Sequence, residues 1–245
     1  MTLAAQTNPS GGDGSNAQVA TPGGTERDQA ALAALSRMGE FLRSLRAFVV
    51  RGEATTDEIL DTGQKVQLAQ AIELRVRRPD RLRASVESDR KQREYFYDGN
   101  TFTLYSPRTG YYAEFHAPKT IGELIEIAER RYGIEMPLVD LFRWGSDEND
   151  ATSVRAAIYL GPSRIGGIDT EHYAYRAEDV DFQVWIERGD RPLPRKLVIT
   201  TTSEPSQPQH AMTFSWNLDA VPPEADFTFV PSKDSKRIVF EVTEP

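Results

Sequence analysis

The histidines are the first residues whose chemistry could define a site, because imidazole binds metals and titrates near neutral pH. His116, His172 and His210 lie far apart in the 245-residue chain, and no two of them are spaced as His-x-x-x-His. A metal site needs several converging ligands, and the chain has no cysteine that could supply one. The spacing therefore predicts structural or exposed histidines and no metal site.

Residues that could act as nucleophiles or as acid–base pairs show no catalytic spacing. The chain has no Gly-x-Ser-x-Gly turn and no cysteine. Asp179 and Asp181 share one strand face by their spacing, but their neighbours are ordinary strand residues. The segment 147–150 is acidic, yet it lacks the Asp-x-Asp-x-Asp-Gly order of a calcium loop. We therefore expect a protein that is not an enzyme and that needs no cofactor.

A basic cluster between residues 75 and 93 is the clearest charge feature. Alternation with Val76, Leu82 and Ala84 predicts that these charges form the solvated face of neighbouring strands. Contact with anionic lipid or with a protein is the alternative. A net charge of −8 argues against nucleic acid as a partner. The cluster consists of Arg75, Arg77, Arg78, Arg81, Arg83, Arg90, Lys91 and Arg93.

Aromatic residues recur along the predicted strands and either fill a core or line a cavity. In the predicted hairpin 181–200, Phe182, Val184 and Ile186 share one face, whereas Trp185 points to the other. A strand that is apolar on both faces is buried on both sides or lines a cavity. Both interpretations stay open. The candidate ligand-binding residues are Trp185, Phe96, Phe102, Leu104 and Tyr173 on strands, and Leu124, Ile125 and Ala128 on a helix.

The elements that would position these residues are three helices and many short strands. Apolar residues at helical spacing predict a helix over 26–45, and a capping box at Thr120 and Glu123 with Gly133 as C-cap predicts another over 120–132. Pro137 predicts the start of a third, short helix that runs through Phe142. Alternating segments predict strands at 48–56, 66–77, 82–87, 94–97, 101–105, 111–116, 153–160, 168–175, 181–200 (a hairpin), 211–216, 227–230 and 237–242.

Without the two short terminal strands, this order of about ten or eleven strands predicts an α+β fold, with a strongly curved antiparallel sheet and helices against one face. Residues 1–25 are rich in small and polar residues, which predicts a disordered tail or tether. Residues 26–245 are expected to form a single domain. No segment reaches the roughly 20 apolar residues of a membrane span. The first 20 residues do not resemble a signal peptide. The N-terminus therefore fits either a natural start or what remains after a signal has been removed.

Several short blocks lie in an order that is typical of one family: 41–45, 78–83, 97–101, 103–105, 136–141, 159–161, 166–167 and 185–195. Over roughly residues 28–242 the chain resembles a family of predicted periplasmic bacterial proteins that is similar in architecture to the lipoprotein carriers LolA and LolB. The resemblance implies an unclosed half-barrel whose concave face is covered by helices and holds acyl chains. It also implies export to the periplasm.

The expected function is therefore non-enzymatic binding of a hydrophobic ligand, either a lipid acyl chain or a lipidated protein, in the concave cavity of a monomer. Helix 120–132 would act as the lid. The alternative is a periplasmic protein-interaction or sensor module that uses the half-barrel as a scaffold. These hypotheses make different demands on Trp185, which should line a void in the first case and cover the convex face in the second.

Overall fold

The computed structural model describes residues 27–144 and 153–241. The predicted tail at 1–25, the acidic segment 147–150 and the last residue of the predicted strand 237–242 lie outside these ranges. No helix within them is long and apolar enough to cross a bilayer.

One sheet of twelve strands forms the body of the protein. Its order is β12-β6-β5-β4-β3-β2-β1-β11-β10-β9-β8-β7, and every pairing is antiparallel except that of β12 with β6. The two edge strands do not pair with each other, so the curved sheet stays open as a half-barrel, and the predicted fold class is confirmed. The strands are β1 (Ala47–Ile59), β2 (Lys65–Arg77), β3 (Arg81–Ser88), β4 (Gln92–Tyr97), β5 (Thr101–Ser106), β6 (Tyr111–His116), β7 (Ala156–Ile165), β8 (Ile168–Arg176), β9 (Val180–Glu187), β10 (Pro194–Thr201), β11 (Gln209–Asn217) and β12 (Lys236–Arg237).

Helix α1 (Gln29–Ser44) covers the concave face of the sheet. It begins three residues later than predicted, because the Asp28 side chain caps it by accepting a 2.8 Å hydrogen bond from the backbone N–H of Ala30. Its buried stripe packs into the same core cluster as the concave side chains of the sheet. The stripe contains Ala31, Leu32, Ala34, Leu35, Met38 and Leu42.

Helix α2 (Ile121–Tyr132) has the ends that the sequence predicts. The Glu123 N–H donates to the Thr120 hydroxyl at 3.3 Å, and that hydroxyl donates to the Glu123 carboxylate at 2.9 Å. Gly133 ends the helix with a φ of 60°, a conformation that glycine adopts without steric cost. Ile121, Leu124, Ile125 and Ala128 form the buried face of this helix.

The third helix differs from the prediction. Helix α3 spans Asp140–Arg143 and does not begin at Pro137. The reason is Leu138, whose φ of 59° is left-handed and cannot continue a right-handed helix.

The segment 219–241, here called the C-terminal strap, wraps around the β6 edge of the sheet. A short 3₁₀ turn (Glu224–Phe227) replaces part of the predicted strand 227–230, and Phe229 then lies on the convex face. Its ring centroid is 5.0–5.3 Å from those of Phe96, Tyr105 and Tyr112. After β12 the chain passes the edge, and Phe240 packs on the helix side, 5.4 Å from Tyr132 of α2. The strand prediction was wrong there because this segment is held by side-chain packing rather than by a ladder of hydrogen bonds.

The strap also explains much of the basic cluster. Asp226 lies 2.6 Å from Arg75, and Glu224 contacts both Arg77, at 2.8 Å, and Arg81. On the neighbouring strands, Arg83 pairs with Glu94 at 3.0 Å. Most of the cluster on β2 and β3 is therefore neutralised within the molecule.

Truncating Phe227 tests whether the strap is part of the cooperative fold. Phe227 is completely buried beneath Arg77, so Phe227→Ala should lower the free energy of unfolding by about 3–5 kcal/mol. The exposed Val230 is the matched control, and Val230→Ala should change this free energy by less than ~0.5 kcal/mol. Urea unfolding followed by circular dichroism measures both. Equal, small effects would show that the strap folds independently of the sheet.

Candidate functional site

A cavity of about 590 Å³, here called the outer cavity, opens on the concave face beside the connection between α2 and α3. Its walls come from β1–β4 and β11, and its roof is the segment 135–140. This volume is typical of a small-molecule site. The side chains that make its surface apolar are Leu68, Ile72, Val86, Tyr95, Met136, Leu138 and Met212.

A smaller pocket of about 140 Å³, here called the inner pocket, continues this surface beneath α1. Both spaces border Asp140. Their walls are also joined across the sheet, because Leu197 pairs with Met212 and Ile199 pairs with His210 in the register of β10 and β11. The inner pocket is lined mainly by Leu35, Trp144, Val154, Val180, Phe182, Leu197 and Ile199.

The roof of the outer cavity has an unusual backbone. Leu138 adopts a positive φ that costs an ordinary residue about 1–2 kcal/mol. Its side chain is nevertheless only 9% exposed and packs with the core. Burial of this leucine offsets the backbone cost and fixes the roof above Met212 and Tyr95.

Two titratable groups lie where the outer cavity meets the inner pocket. His210 shares a 2.8 Å hydrogen bond between its Nδ1 and the Thr56 hydroxyl, and burial lowers the pKa of His210. Burial raises the pKa of Asp140, although Arg143 and His210 act against this shift. Burial thus favours the neutral form of each group, as expected beside an apolar cavity. Within residues 27–144 and 153–241, no three His, Asp or Glu side chains converge as a metal site would require.

The rim of the outer cavity is charged. The turn between β3 and β4 contributes Arg90 and Lys91, and β4 contributes Arg93, whereas β1 and the roof contribute carboxylates. The Arg90 guanidinium lies 2.9 Å from both carboxylate oxygens of Glu58. These three cations belong to the predicted basic cluster, and among the described residues none of them forms an ion pair with the strap.

A third space, of about 700 Å³, lies on the other side of α1. Arg37, Glu40, Glu171 and Arg188 make its walls charged, and Tyr173 is the predicted ligand-binding residue that borders it. Its polar lining suits an acyl chain less well than the outer cavity does.

Five of the predicted ligand-binding residues come together in the core between the sheet and α2. Phe102, Leu124 and Ala128 are completely buried, and the Phe102 ring lies 5.0 Å from that of Phe115. The structure therefore places these residues in a packed part of the core. The five residues are Phe102, Leu104, Leu124, Ile125 and Ala128.

Trp185 and Phe96 lie on the convex face, which corrects the expectation that they line the concave cavity. Trp185 stacks on His172 with a centroid distance of 3.8 Å, and the Lys196 Nζ lies 4.8 Å from the centre of its ring. Phe96 packs between Arg83 and Phe229 of the strap. In both strands the neighbouring residues face the core, so the alternation of the strand requires this placement.

The residues that line the outer cavity were not singled out from the sequence. Leu68 and Ile72 alternate on β2, which indicates a shared face, but the alternation does not reveal which strands face the same space. Met136 and Leu138 flank a proline directly after the C-cap of α2, a signal for an irregular, buried connection. The β11 residues of the same cavity, His210 and Met212, lie more than one hundred residues after Leu68 and Ile72 in the sequence.

An open, twelve-stranded half-barrel with helices and a cavity on its concave face defines a LolA-like fold. The chain belongs to the family described as "Predicted periplasmic protein (DUF2092)", whose profile matches residues 31–241. The predicted resemblance and the periplasmic assignment are thereby confirmed. No curated protein sequence matches the chain significantly.

Several solved structures are similar to this chain at low sequence identity. LprF from Mycobacterium bovis is 14% identical, with a TM-score of 0.50 over 86% of this chain and 100% of LprF. The lipoprotein LppX from Mycobacterium tuberculosis is 14% identical, with a TM-score of 0.49 over 80% of this chain and 98% of LppX. The LolA superfamily protein NE2245 from Nitrosomonas europaea is 12% identical, with a TM-score of 0.33 over 81% of this chain and 97% of that protein. The similarity to LprF concerns the fold alone.

Replacing Asp140 by asparagine tests the electrostatics between the two spaces. Because the folded protein raises the pKa of Asp140, the carboxyl group favours folding at low pH, and this contribution is lost as the pH rises through the folded-state pKa. Asp140→Asn should therefore raise the free energy of unfolding at pH 7, and the gain should shrink at pH 4. Chemical denaturation at both pH values measures it.

Asp61→Asn, in the exposed turn between β1 and β2, is the control and should change this free energy little at either pH. Making the same two variants in a His210→Gln background removes the titration of His210, which interacts with the Asp140 carboxylate. A loss of stability for Asp140→Asn at pH 7 would contradict the proposed cost of burying the carboxylate.

Proposed function

We propose that the protein is a non-enzymatic periplasmic carrier that binds an acyl chain, of a lipid or of a lipidated protein, in the outer cavity. The observation that supports this most is that apolar walls of the outer cavity and of the inner pocket adjoin, because Leu197 of the inner pocket pairs with Met212 of the outer cavity. A chain entering at the rim would lie along Val86, Ile72 and Met212 and would end beside Phe182 and Ile199.

The hydrophobic effect is large enough to bind an acyl chain in the outer cavity with measurable affinity. Each buried methylene group contributes about 0.8 kcal/mol, so ten of them contribute roughly 8 kcal/mol before the entropic cost of association. A long chain that fills both spaces would gain more. We therefore expect dissociation constants on the order of micromolar.

The roof, rather than α2, is the segment that we propose as the gate. Displacing α2 would expose four buried apolar side chains. Exposing each of the larger ones would cost about 1.5–3 kcal/mol of burial free energy. The roof borders the outer cavity directly and contains the left-handed Leu138. A local change in the roof would open the space at a smaller cost than a swing of the helix.

The alternative function, a protein-interaction module, is supported by the outer edge of the sheet. β8 is the one strand that pairs with β7 among the described residues; Arg27 bridges to β7 at Ala157, and beyond that bridge β7 exposes Ile158, Tyr159 and Leu160. An edge strand of this kind can accept a strand from another protein. Trp185 does not support this function, because His172 and Lys196 cover it and leave it only 8% exposed.

Filling the outer cavity tests the proposed function. In Val86→Trp, the larger side chain would occupy the cavity and should weaken the binding of the neutral fluorescent probe N-phenyl-1-naphthylamine at least about tenfold, a loss of about 1.4 kcal/mol. Fluorescence titration of the purified protein measures the affinity.

Ala71→Trp is the matched control, because Ala71 lies on neighbouring β2 with its side chain on the convex face. This variant should bind the probe as the wild type does. Circular dichroism checks that both variants are folded. Equal binding by Val86→Trp and Ala71→Trp would contradict the assignment of the outer cavity.

A further inference from the structure

The cations on the rim of the outer cavity differ in how they are neutralised. Arg90 is engaged by Glu58, and the rim carboxylate Asp57 is engaged by Lys65 at 3.3 Å. By contrast, neither Lys91 nor Arg93 forms an ion pair with any residue in the described parts of the chain. Both are exposed, so their charges are available to a ligand at the mouth of the cavity.

Arg93 connects the charged rim to the apolar wall. Its side chain interacts with the hydroxyl group of Tyr95, whose ring is almost completely buried in the cavity wall. The two residues are on the same face of β4, because they are two positions apart. The direction from Tyr95 to Arg93 therefore runs from an apolar interior to a cationic surface, which is the polarity of an amphiphile with an anionic head.

The turn that carries Lys91 and leads into Arg93 on β4 is held in place by hydrogen bonds. The Arg108 guanidinium donates hydrogen bonds to the carbonyl oxygens of Asp89, at 3.0 Å, and Arg90, at 2.9 Å. The Ser88 N–H also donates to the Lys91 carbonyl at 2.9 Å. A preorganised turn lowers the entropic cost of binding an anion.

The acidic groups on the rim do not cancel this arrangement. Asp57 and Glu58 are already paired, and burial raises the pKa of Asp140 and favours its neutral form. This leaves Glu135 as the exposed roof carboxylate without an ion pair among the described residues. Two uncommitted cations therefore oppose one uncommitted carboxylate. The mouth of the cavity is locally cationic in a protein of net charge −8.

We propose that the outer cavity selects an acyl-chain amphiphile with an anionic headgroup, and that Lys91 and Arg93 bind this headgroup. This inference rests on the proposed function, because it assumes that the chain occupies the cavity. The shared chemistry is a single negative group at the end of an acyl chain, either the carboxylate of a fatty acid or the phosphate of a lysophospholipid. Arg93 would offer either group paired hydrogen bonds, and Lys91 would add a point charge.

A comparison of two ligands that differ only in the headgroup tests the proposal. Dodecanoate and dodecanol, at pH 8 and low salt, are titrated against the full chain preloaded with N-phenyl-1-naphthylamine, and displacement gives both affinities. The wild type should bind dodecanoate about tenfold more tightly than dodecanol, as expected for charge-assisted hydrogen bonds. This preference should decrease as salt is added, because the rim is exposed.

The double variant Lys91→Gln with Arg93→Gln should bind both ligands equally, with its affinity for dodecanol unchanged. The matched control, Lys119→Gln with Lys233→Gln, removes two exposed charges that do not border the outer cavity and should keep the preference. Unchanged dodecanol binding also shows that the double variant retains an intact cavity.

Two results would overturn the inference alone: equal affinities in the wild type, or a preference that survives in the double variant. If the probe and both ligands fail to bind the wild type, the proposed function fails and the inference fails with it. Lysophosphatidylglycerol and lysophosphatidylcholine with the same acyl chain extend the test. Tighter binding of lysophosphatidylglycerol than of dodecanoate identifies the phosphate group as the source of the charge, and the reverse order identifies a fatty acid.

Discussion

The open sheet leaves a concave apolar face, and covering that face is the constraint on which the rest of the structure depends. Antiparallel pairing satisfies the backbone but cannot bury both sides of a curved sheet. α1 and α2 cover most of the concave side, and Phe240 of the strap fills the edge beside α2. These covering elements do not reach the end of β1 or the start of β2, and the outer cavity lies there. The cavity therefore exists because the helices and the strap leave part of the concave face uncovered.

The convex face is stabilised in a different way. Arg75 and Arg77 on β2 and Arg81 on β3 are neutralised by Glu224 and Asp226, and Phe229 packs on the aromatic residues of this face. Individual exposed ion pairs contribute little, so burial of Phe227 and Phe229 should hold the strap, whereas the charges fix its position. Much of the basic cluster in the sequence is thus explained by the packing of the C-terminal strap against β2 and β3. Lys91 and Arg93, at the other end of the cluster, are exposed to a ligand.

Much of the fold could be predicted because local patterns agree with it. The capping box at Thr120, the C-cap at Gly133 and the alternation within the strands fixed α2 and most of the sheet. The failures occurred where distant packing outweighs local preference: Leu138 is left-handed because its side chain is buried, and residues 227–230 pack rather than pair. The alternation along the strand already predicted that Trp185 lies on one face and that Val184 and Ile186 lie on the other. It could not show which of the two faces the helices would cover.

The candidate site was harder to predict because a cavity is defined by what is missing between elements. Phe102 and Leu124 look like cavity residues in the sequence, yet α2 and the aromatic side chains around it fill that space. Ile72, Val86 and Met212 look like ordinary core residues, yet they also border the outer cavity. The difference depends on Leu138, whose buried side chain fixes where the connection between α2 and α3 crosses the sheet. A cavity set by one strained turn can change its volume without disturbing α1 or α2, which is what a carrier requires if it must both hold and release a ligand.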